Sequence, residues 1–236
     1  VLKAMNIPIY ECQGWEADDV IGTVGKICGN NDWECVIVTG DRDSLQLIDR
    51  HVKVKLVISR PGQTTATVYD EAKFREEYGF EPKKMVDLKA LMGDSSDNIP
   101  GVAGVGPKTA TELLLKYGSL DEIYKNIDDD AIRQKLREKL VASKENAYLS
   151  YDLATIRCNA PIDFEPKDAI IQPYNRSALY ELFVKLEFVR LIDRYGLRGC
   201  GVEEQIRPCA EFCKLNRIDV LPDKTGECAL YFAQDG

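Results

Sequence analysis

Histidine is almost missing from this 236-residue sequence, with His51 as its single instance. A mechanism that needs a histidine base, or a Ser/Cys–His couple, is therefore nearly excluded unless His51 itself serves. His51 stands just before the alternating stretch VKVKLVI, where a solvent-edge role is expected. Long apolar runs are missing as well. No run of 18 or more apolar residues occurs, so no transmembrane helix is expected. The opening VLKAMNIPIYE has neither a basic leader nor the small-residue cleavage site of a secretory signal, and a cytoplasmic protein with no membrane partner is expected. The third lack is an excess of basic residues: 31 Lys and Arg face 39 Asp and Glu, a net charge of −8. A nucleic-acid binder usually shows the opposite balance.

Where the acids lie softens that objection. Seven fall in three tight groups, Glu16, Asp18 and Asp19 in WEADDV, Asp41 and Asp43 in TGDRDSLQL, and Asp94 and Asp97 in LMGDSSDNIP. Without them the remainder is nearly neutral, 32 acidic against 31 basic residues. Packing so many carboxylates together raises their pKa values unless cations neutralise them. Donor sets made of oxygen alone suit Mg²⁺ or Mn²⁺. A pair of such ions about 3.5 to 4 Å apart supports phosphodiester cleavage without any histidine. The competing reading for any one group is a solvated face or helix cap, and three groups at element ends weaken it.

Cysteine is not scarce, but the eight residues, at 12, 28, 35, 158, 200, 209, 213 and 228, are dispersed through a chain that needs no staples, so reduced thiols are expected. Cys209 and Cys213 are four apart, with no second pair or suitably spaced histidine to complete a zinc site.

Periodicity predicts an α/β fold with a mainly parallel sheet and flanking helices, followed by a helical subdomain. A short strand is expected around Ile9–Cys12, a helix from Glu16 to about Asn30, and strands at ECVIVT and Val52–Ile58. Beyond Asp70, short helices are expected at DEAKFREEYG, KKMVDLKALMG, PKTATELLLKYG and SLDEIYKNI, with glycines at or near the ends of the first three. A longer helical stretch is expected from about Asp130 to Leu153, and another from Tyr174 to Tyr195. The expected division is an α/β core at 1–70, a helical region at 71–198, a linker at 199–208 and the start of a further domain at 209–236.

In an open α/β sheet, ligands gather beyond the carboxyl ends of the strands, where Asp41 and Asp43 fall. If the chain stays extended there, both point one way. Asp94 and Asp97 converge if their segment makes a helical turn. Glu16 and Asp18 diverge by about 200° on a continuous helix, so both serve only if the helix begins late.

The segment GVAGVGPKT nearly fits a phosphate-binding P-loop through Gly101, Gly106 and Thr109, but Pro107 displaces Lys108 by one place and no strand precedes it. A helix-hairpin-helix fits better. In that motif Gly101, Gly104 and Gly106 let backbone N–H groups approach a DNA phosphate, and Lys108 and Thr109 open the next helix. The bland alternative is a tight turn. Lys83, Lys84 and Lys89, and Arg133, Lys135, Arg137 and Lys139, either extend a phosphate track or form solvated helix faces. Trp15 and Trp33 are expected to pack rather than stack on bases.

At EADDVIGT, TGDRDSLQL, ALMGDSSDNIPGVAGVGPKTA and LLLKYGSL, over roughly residues 1–198, the chain closely resembles the 5′-nuclease domains of bacterial DNA polymerase I, within the flap endonuclease family. The resemblance implies a structure-specific enzyme that removes 5′ flaps or RNA primers from duplex DNA with two Mg²⁺ or Mn²⁺ ions. It also implies a monovalent cation such as K⁺ on the hairpin carbonyls. Carried over by motif, the metal ligands are Glu16, Asp18, Asp19, Asp41, Asp43, Asp94 and Asp97, with Glu16, Asp18, Asp41, Asp43 and Asp97 closest to the chemistry, and Gly104, Gly106 and Lys108 match the DNA hairpin. Residues after about 205 resemble the start of a 3′-5′ proofreading domain, so the rest of a polymerase is the expected partner in cis, in a monomer. The family's first strand, its metal-binding Asp and its helical gateway do not precede Val1, so the chain is expected to begin inside a domain and to be weak or inactive alone. The alternatives are a non-catalytic, structure-specific DNA-binding module and a PIN-type ribonuclease.

Overall fold

In the computed structural model, residues 1–200 are described. The expected further domain at 209–236, most of the expected linker, and Cys209, Cys213 and Cys228 lie outside them. Leu2–Pro173 is one compact unit, and the described residues from Tyr174 to Cys200 belong to a second.

The first unit begins with helix α1, Ala17–Asn30, whose buried face carries Val20, Thr23 and Cys28. Strand β1, Cys35–Thr39, follows and pairs in parallel with β2, Val52–Arg60, in the register Cys35↔Val52 to Thr39↔Leu56. Pro61 and Gly62, the latter at φ 78°, then turn the chain into β3, Gln63–Tyr69, antiparallel to β2. The parallel pair was predicted and β3 was not. Its threonine-rich QTTATVY has strand propensity but little apolar alternation. Val36, Val38 and Val68 leave one face of the sheet exposed.

Helices follow in quick succession: α2 Glu71–Tyr78, α3 Met85–Met92, α4 Pro107–Tyr117 and α5 Leu120–Lys125. Asp70 caps α2 by accepting from the Lys73 N–H at 2.8 Å, and Ser119 caps α5 through the Glu122 N–H. Gly79, Gly93 and Gly118 end α2, α3 and α4 at positive φ, as expected. Phe74 is fully buried and stacks on Tyr78 with centroids 4.4 Å apart. It joins one continuous core with Leu45, Val54, Leu91, Leu114, Ile123 and Leu140, so sheet and helical region are not separately packed.

Three expectations are corrected. Ile9–Cys12 is not a strand: Pro8 offers no N–H, no strand among the described residues lies alongside, and Ile9 is exposed. The stretch from Asp130 to Leu153 is two helices, α6 Gln134–Ala142 and α7 Lys144–Ala154, broken where Ser143 leaves helical geometry at φ −109°, ψ 16°. In the second unit, α8 Arg176–Lys185 and α9 Val189–Arg194 are separated by Glu187 at φ 57°. In both places the apolar periodicity runs across the break and hides it. Among the described residues, no helix is long and apolar enough to cross a membrane.

Candidate metal centre and hairpin

Asp41 and Asp43 follow β1, but the chain there does not stay extended. Arg42 turns helical, the Asp43 N–H donates to Asp41 Oδ1 at 2.9 Å, and Asp43 opens a 3-10 turn, Asp43–Leu47. This Asx-type turn, not strand alternation, brings the two carboxylates to one side. Asp94 and Asp97 likewise converge without a helical turn. Asp94 and Ile99 exchange backbone hydrogen bonds of 3.0 and 2.8 Å, closing a loop in which Asn98 takes φ 57°. Carboxylate oxygens of Asp43, Asp94 and Asp97 lie within 4.8 Å of one another.

Between them stands Lys89, from α3, whose side chain is 7 % exposed. Its ammonium pairs with Asp43, with Asp94 at 2.6 Å and with Asp97 at 3.6 Å. Burial alone would lower the Lys89 pKa, but hydrogen bonds and attraction from Asp43 and Asp94 reverse this and raise it. Asp94 is pulled down to about 2, chiefly by Lys89 and then by Ser96. Asp43 stays raised, because burial and the charges of Asp41 and Asp97 outweigh the pull of Lys89. Lys89 was read from sequence only as part of a possible phosphate track. Its place among the acids depends on α3 packing behind the Asp43 turn, which leaves no local signal.

The remaining group sits at the start of α1. Glu16 is the N-cap residue, at φ −78°, ψ 159°, so it leaves the helix while Asp18 occupies its first turn. The expected divergence of the two is thereby removed. Burial and the charges of Asp41, Asp43, Glu16 and Asp19 raise the Asp18 pKa. Asp19 is partly engaged with backbone, accepting from the Arg157 N–H at 2.7 Å and the Glu16 N–H at 3.4 Å. Glu16, Asp18, Asp19, Asp41, Asp43 and Asp97 line one cavity of about 480 Å³, closed by Ile99, Leu153, Ala154 and Ile156. The end of α7 was missed in the sequence. Buried Gln46 ties it to the Asp43 turn, donating to the Ala154 carbonyl and accepting from the Ile156 N–H, both at 3.0 Å.

The hairpin, residues 101–106, joins this cavity to α4. Gly93 and Gly101, both at positive φ, pack backbone against backbone, and a Cβ on Gly101 would lie 2.3 Å from the Gly93 nitrogen. The Gly101 N–H donates to the buried Ser150 hydroxyl at 2.9 Å. Gly101, expected at the DNA surface, is therefore an internal packing residue with its donor already used. Gly104, Gly106 and Lys108 are exposed, Thr109 is half-buried, and a Cβ on Gly106 would meet nothing within 4 Å. Gly106 precedes α4 as its N-cap, leaving N–H groups of the first turn, less that of Pro107, facing solvent.

Trp15 is half-buried beside Glu16 and Asp19, whereas Trp33 is 44 % exposed rather than packed. His51 lies outside the acid cavity, beside Arg50 and Asp32. Cys12, Cys28, Cys35, Cys158 and Cys200 are free thiols.

The donor set is all oxygen, and its 4.8 Å spread is close to the roughly 4.2 Å span of an octahedral shell around a Mg²⁺-sized ion. The residues present fit hard divalent cations.

Residues 1–79 match the N-terminal resolvase-like domain of 5′-3′ exonucleases, and residues 80–177 match their C-terminal SAM-fold domain. DNA polymerase I of Caldicellulosiruptor bescii is 47% identical over 197 residues, 84% of this chain and 23% of that protein. DNA polymerase I of Bacillus subtilis is 40% identical over 204 residues, 86% of the chain and 23% of that protein. The chain thus spans about a quarter of the length of these relatives. Among solved structures, bacteriophage T5 5′-exonuclease with bound zinc ions aligns at TM-score 0.54 and 26% identity, covering 64% of this chain and 54% of its own. The T5 flap endonuclease in complex with DNA and metal ions aligns at 0.55 and 25%, covering 66% and 55%. The catalytic core of Rad2 with DNA substrate shares the fold, at 0.53 and 19% identity over 77% of this chain and 60% of its own.

Proposed function

We propose, from the premise that this chain belongs to the 5′-3′ exonuclease family, that its acid cavity hydrolyses phosphodiester bonds at 5′ flaps, nicks or RNA primers on duplex DNA. The observation that carries the reading is the convergence of Asp43, Asp94 and Asp97 within 4.8 Å, with Asp43 and Asp97 lining a cavity that also collects Glu16, Asp18, Asp19 and Asp41. Asp43, Asp94 and Asp97 would hold one divalent ion, with Glu16, Asp18, Asp19 and Asp41 disposed toward a second. Mg²⁺ or Mn²⁺ bound there would supply an activated water and stabilise the leaving oxygen. The chain's own contribution is positioning. The Asx-type turn orients Asp43, the 94–99 bridge orients Asp94 and Asp97, and Lys89 restrains the three. The exposed face of Gly104, Gly106 and Lys108 holds the duplex by its phosphates, which reads structure rather than base sequence. Hairpin carbonyls other than that of Gly104, which accepts from Lys139, would hold a K⁺ ion.

On this reading the rest of a DNA polymerase I follows in cis, residues 1–70 supply the α/β core and 71–198 the helical region, and the protein works as a cytoplasmic monomer in replication and repair. The test is cleavage of a labelled 5′-flap duplex with Mg²⁺ or Mn²⁺ by the full-length protein. Cleavage lost in Asp43→Ala supports the assignment. Unchanged cleavage in that variant would refute it, and salt-sensitive binding without cleavage at any metal concentration would leave a DNA-binding module.

A further inference from the structure

Lys139, in the last turn of α6, reaches across to the hairpin, where its Nζ donates to the Gly104 carbonyl at 2.9 Å. That partner sets it apart. Lys53, Lys84, Lys89, Lys116, Lys125 and Lys167 each pair with an aspartate or glutamate. Among the described residues, no carboxylate lies within ion-pairing distance of Lys139 or Lys108. A carbonyl dipole orients an ammonium but does not cancel its charge. Other described lysines, Lys108, Lys135 and Lys144 among them, also make no ion pair, and what distinguishes Lys139 is that a backbone carbonyl fixes its ammonium on the exposed hairpin.

Gly104 is shaped for this contact. It takes φ 72°, and a Cβ there would fall 2.7 Å from Lys139 Nζ and 3.2 Å from Cε. The missing side chain makes room for the ammonium as well as for the turn. Exposed Gly104 and Gly106, with Lys108 beside them, leave the backbone open to close approach by an anion. A lysine ordinarily loses rotamer freedom when it grips a ligand, and here the carbonyl has already restrained it.

We propose that Lys139 is a phosphate contact of the DNA grip, held in place by the Gly104 carbonyl, so that α6 and the hairpin engage the same stretch of backbone. The proposal rests on the reading of the hairpin as the DNA-binding element. It is tested by the affinity of the full-length protein for nicked duplex between about 50 and 200 mM salt. The variants are Lys139→Met, which keeps the apolar stem, Lys139→Arg, which keeps the charge, and Lys108→Ala, with thermal melting as the check on folding. Lys139→Met is expected to weaken binding roughly fivefold at low salt and to reduce the slope of log affinity against log salt by about 0.9, while Lys139→Arg restores the slope. A weaker affinity with unchanged slope would reduce Lys139 to a tether, and no change at all would remove it from the interface. If Lys108→Ala lowers the slope and Lys139→Met does not, only this proposal falls. If neither changes it, the hairpin reading falls too.

Discussion

The acid cavity and the hairpin are neighbours built in opposite ways. The cavity gathers side chains from the start of α1, the turn after β1 and the loop after α3, with Lys89 of α3 paired to Asp43, and it is closed by the end of α7. The hairpin presents the exposed residues 103, 104 and 106, with Val105 anchored in the core between them, together with Lys108. One region concentrates negative charge that repels itself, and the other exposes neutral amides with cations whose charge is not spent on acids. A pocket gathered from so many elements exists only once the tertiary fold has closed, whereas an exposed hairpin needs little more than correct local geometry. The two are joined where Gly93 meets Gly101.

The sharpest separation of the two regions is expected from Asp43→Ala or Asp97→Asn. Metal-dependent flap cleavage should fall by about two to three orders of magnitude, while binding of the duplex without divalent ions is retained. Single-turnover kinetics beside an anisotropy titration would show it. Gly101→Ala should break the comparison by damaging both regions together. A Cβ 2.3 Å from the Gly93 nitrogen, on a backbone at φ 61°, should cost about 3 kcal/mol in denaturant unfolding. Lys89→Met should destabilise the metal-free protein by about 2 kcal/mol by leaving three acids facing one another, and added Mg²⁺ should restore much of the loss in a thermal melt. A melt unmoved by Mg²⁺ would show that Lys89 is merely packed there.

A smaller difference separates the cavity from the loop between α5 and α6 in acid. Asp129 is held down to about 2 by the Ala131 N–H, then by Lys116 and Tyr117. Its folded pKa lies below its ordinary value of 3.8, so its stabilising contribution is complete above that value and is lost as pH falls toward 2. Asp18 and Asp43 shift the other way. Their raised values mean that protonation favours the folded state and that ionisation at higher pH works against it. Asp129→Asn should flatten the acid limb of a stability–pH curve between about 4 and 2. Asp18→Asn should instead raise metal-free stability near neutral pH.

What the sequence made legible was what has a local signature. The acid groups lie at element ends, and the capping glycines announce where helices stop. The geometry behind the clusters was not legible, because Asp41 and Asp43 converge through a side-chain-to-backbone turn, and Asp94 and Asp97 through a two-residue bridge. Lys89 was placed on a phosphate track or a solvated face, and Gln46, Ser150 and the Arg157 N–H escaped notice, because each acts on a partner that only tertiary packing brings near. Gly101 misled for a related reason. A glycine that lets two backbone segments touch looks, in one dimension, the same as a glycine that lets a ligand approach.

Lys89 also bears on the order of assembly. Because its ammonium already lies among Asp43, Asp94 and Asp97, the chain can close around these carboxylates with a counter-ion encoded in its own sequence. On the proposed reading, loading with a divalent ion would then be an exchange rather than a first occupation. On that reading the incoming cation would compete with a resident one that cannot diffuse away, and its apparent affinity would measure the difference between the two.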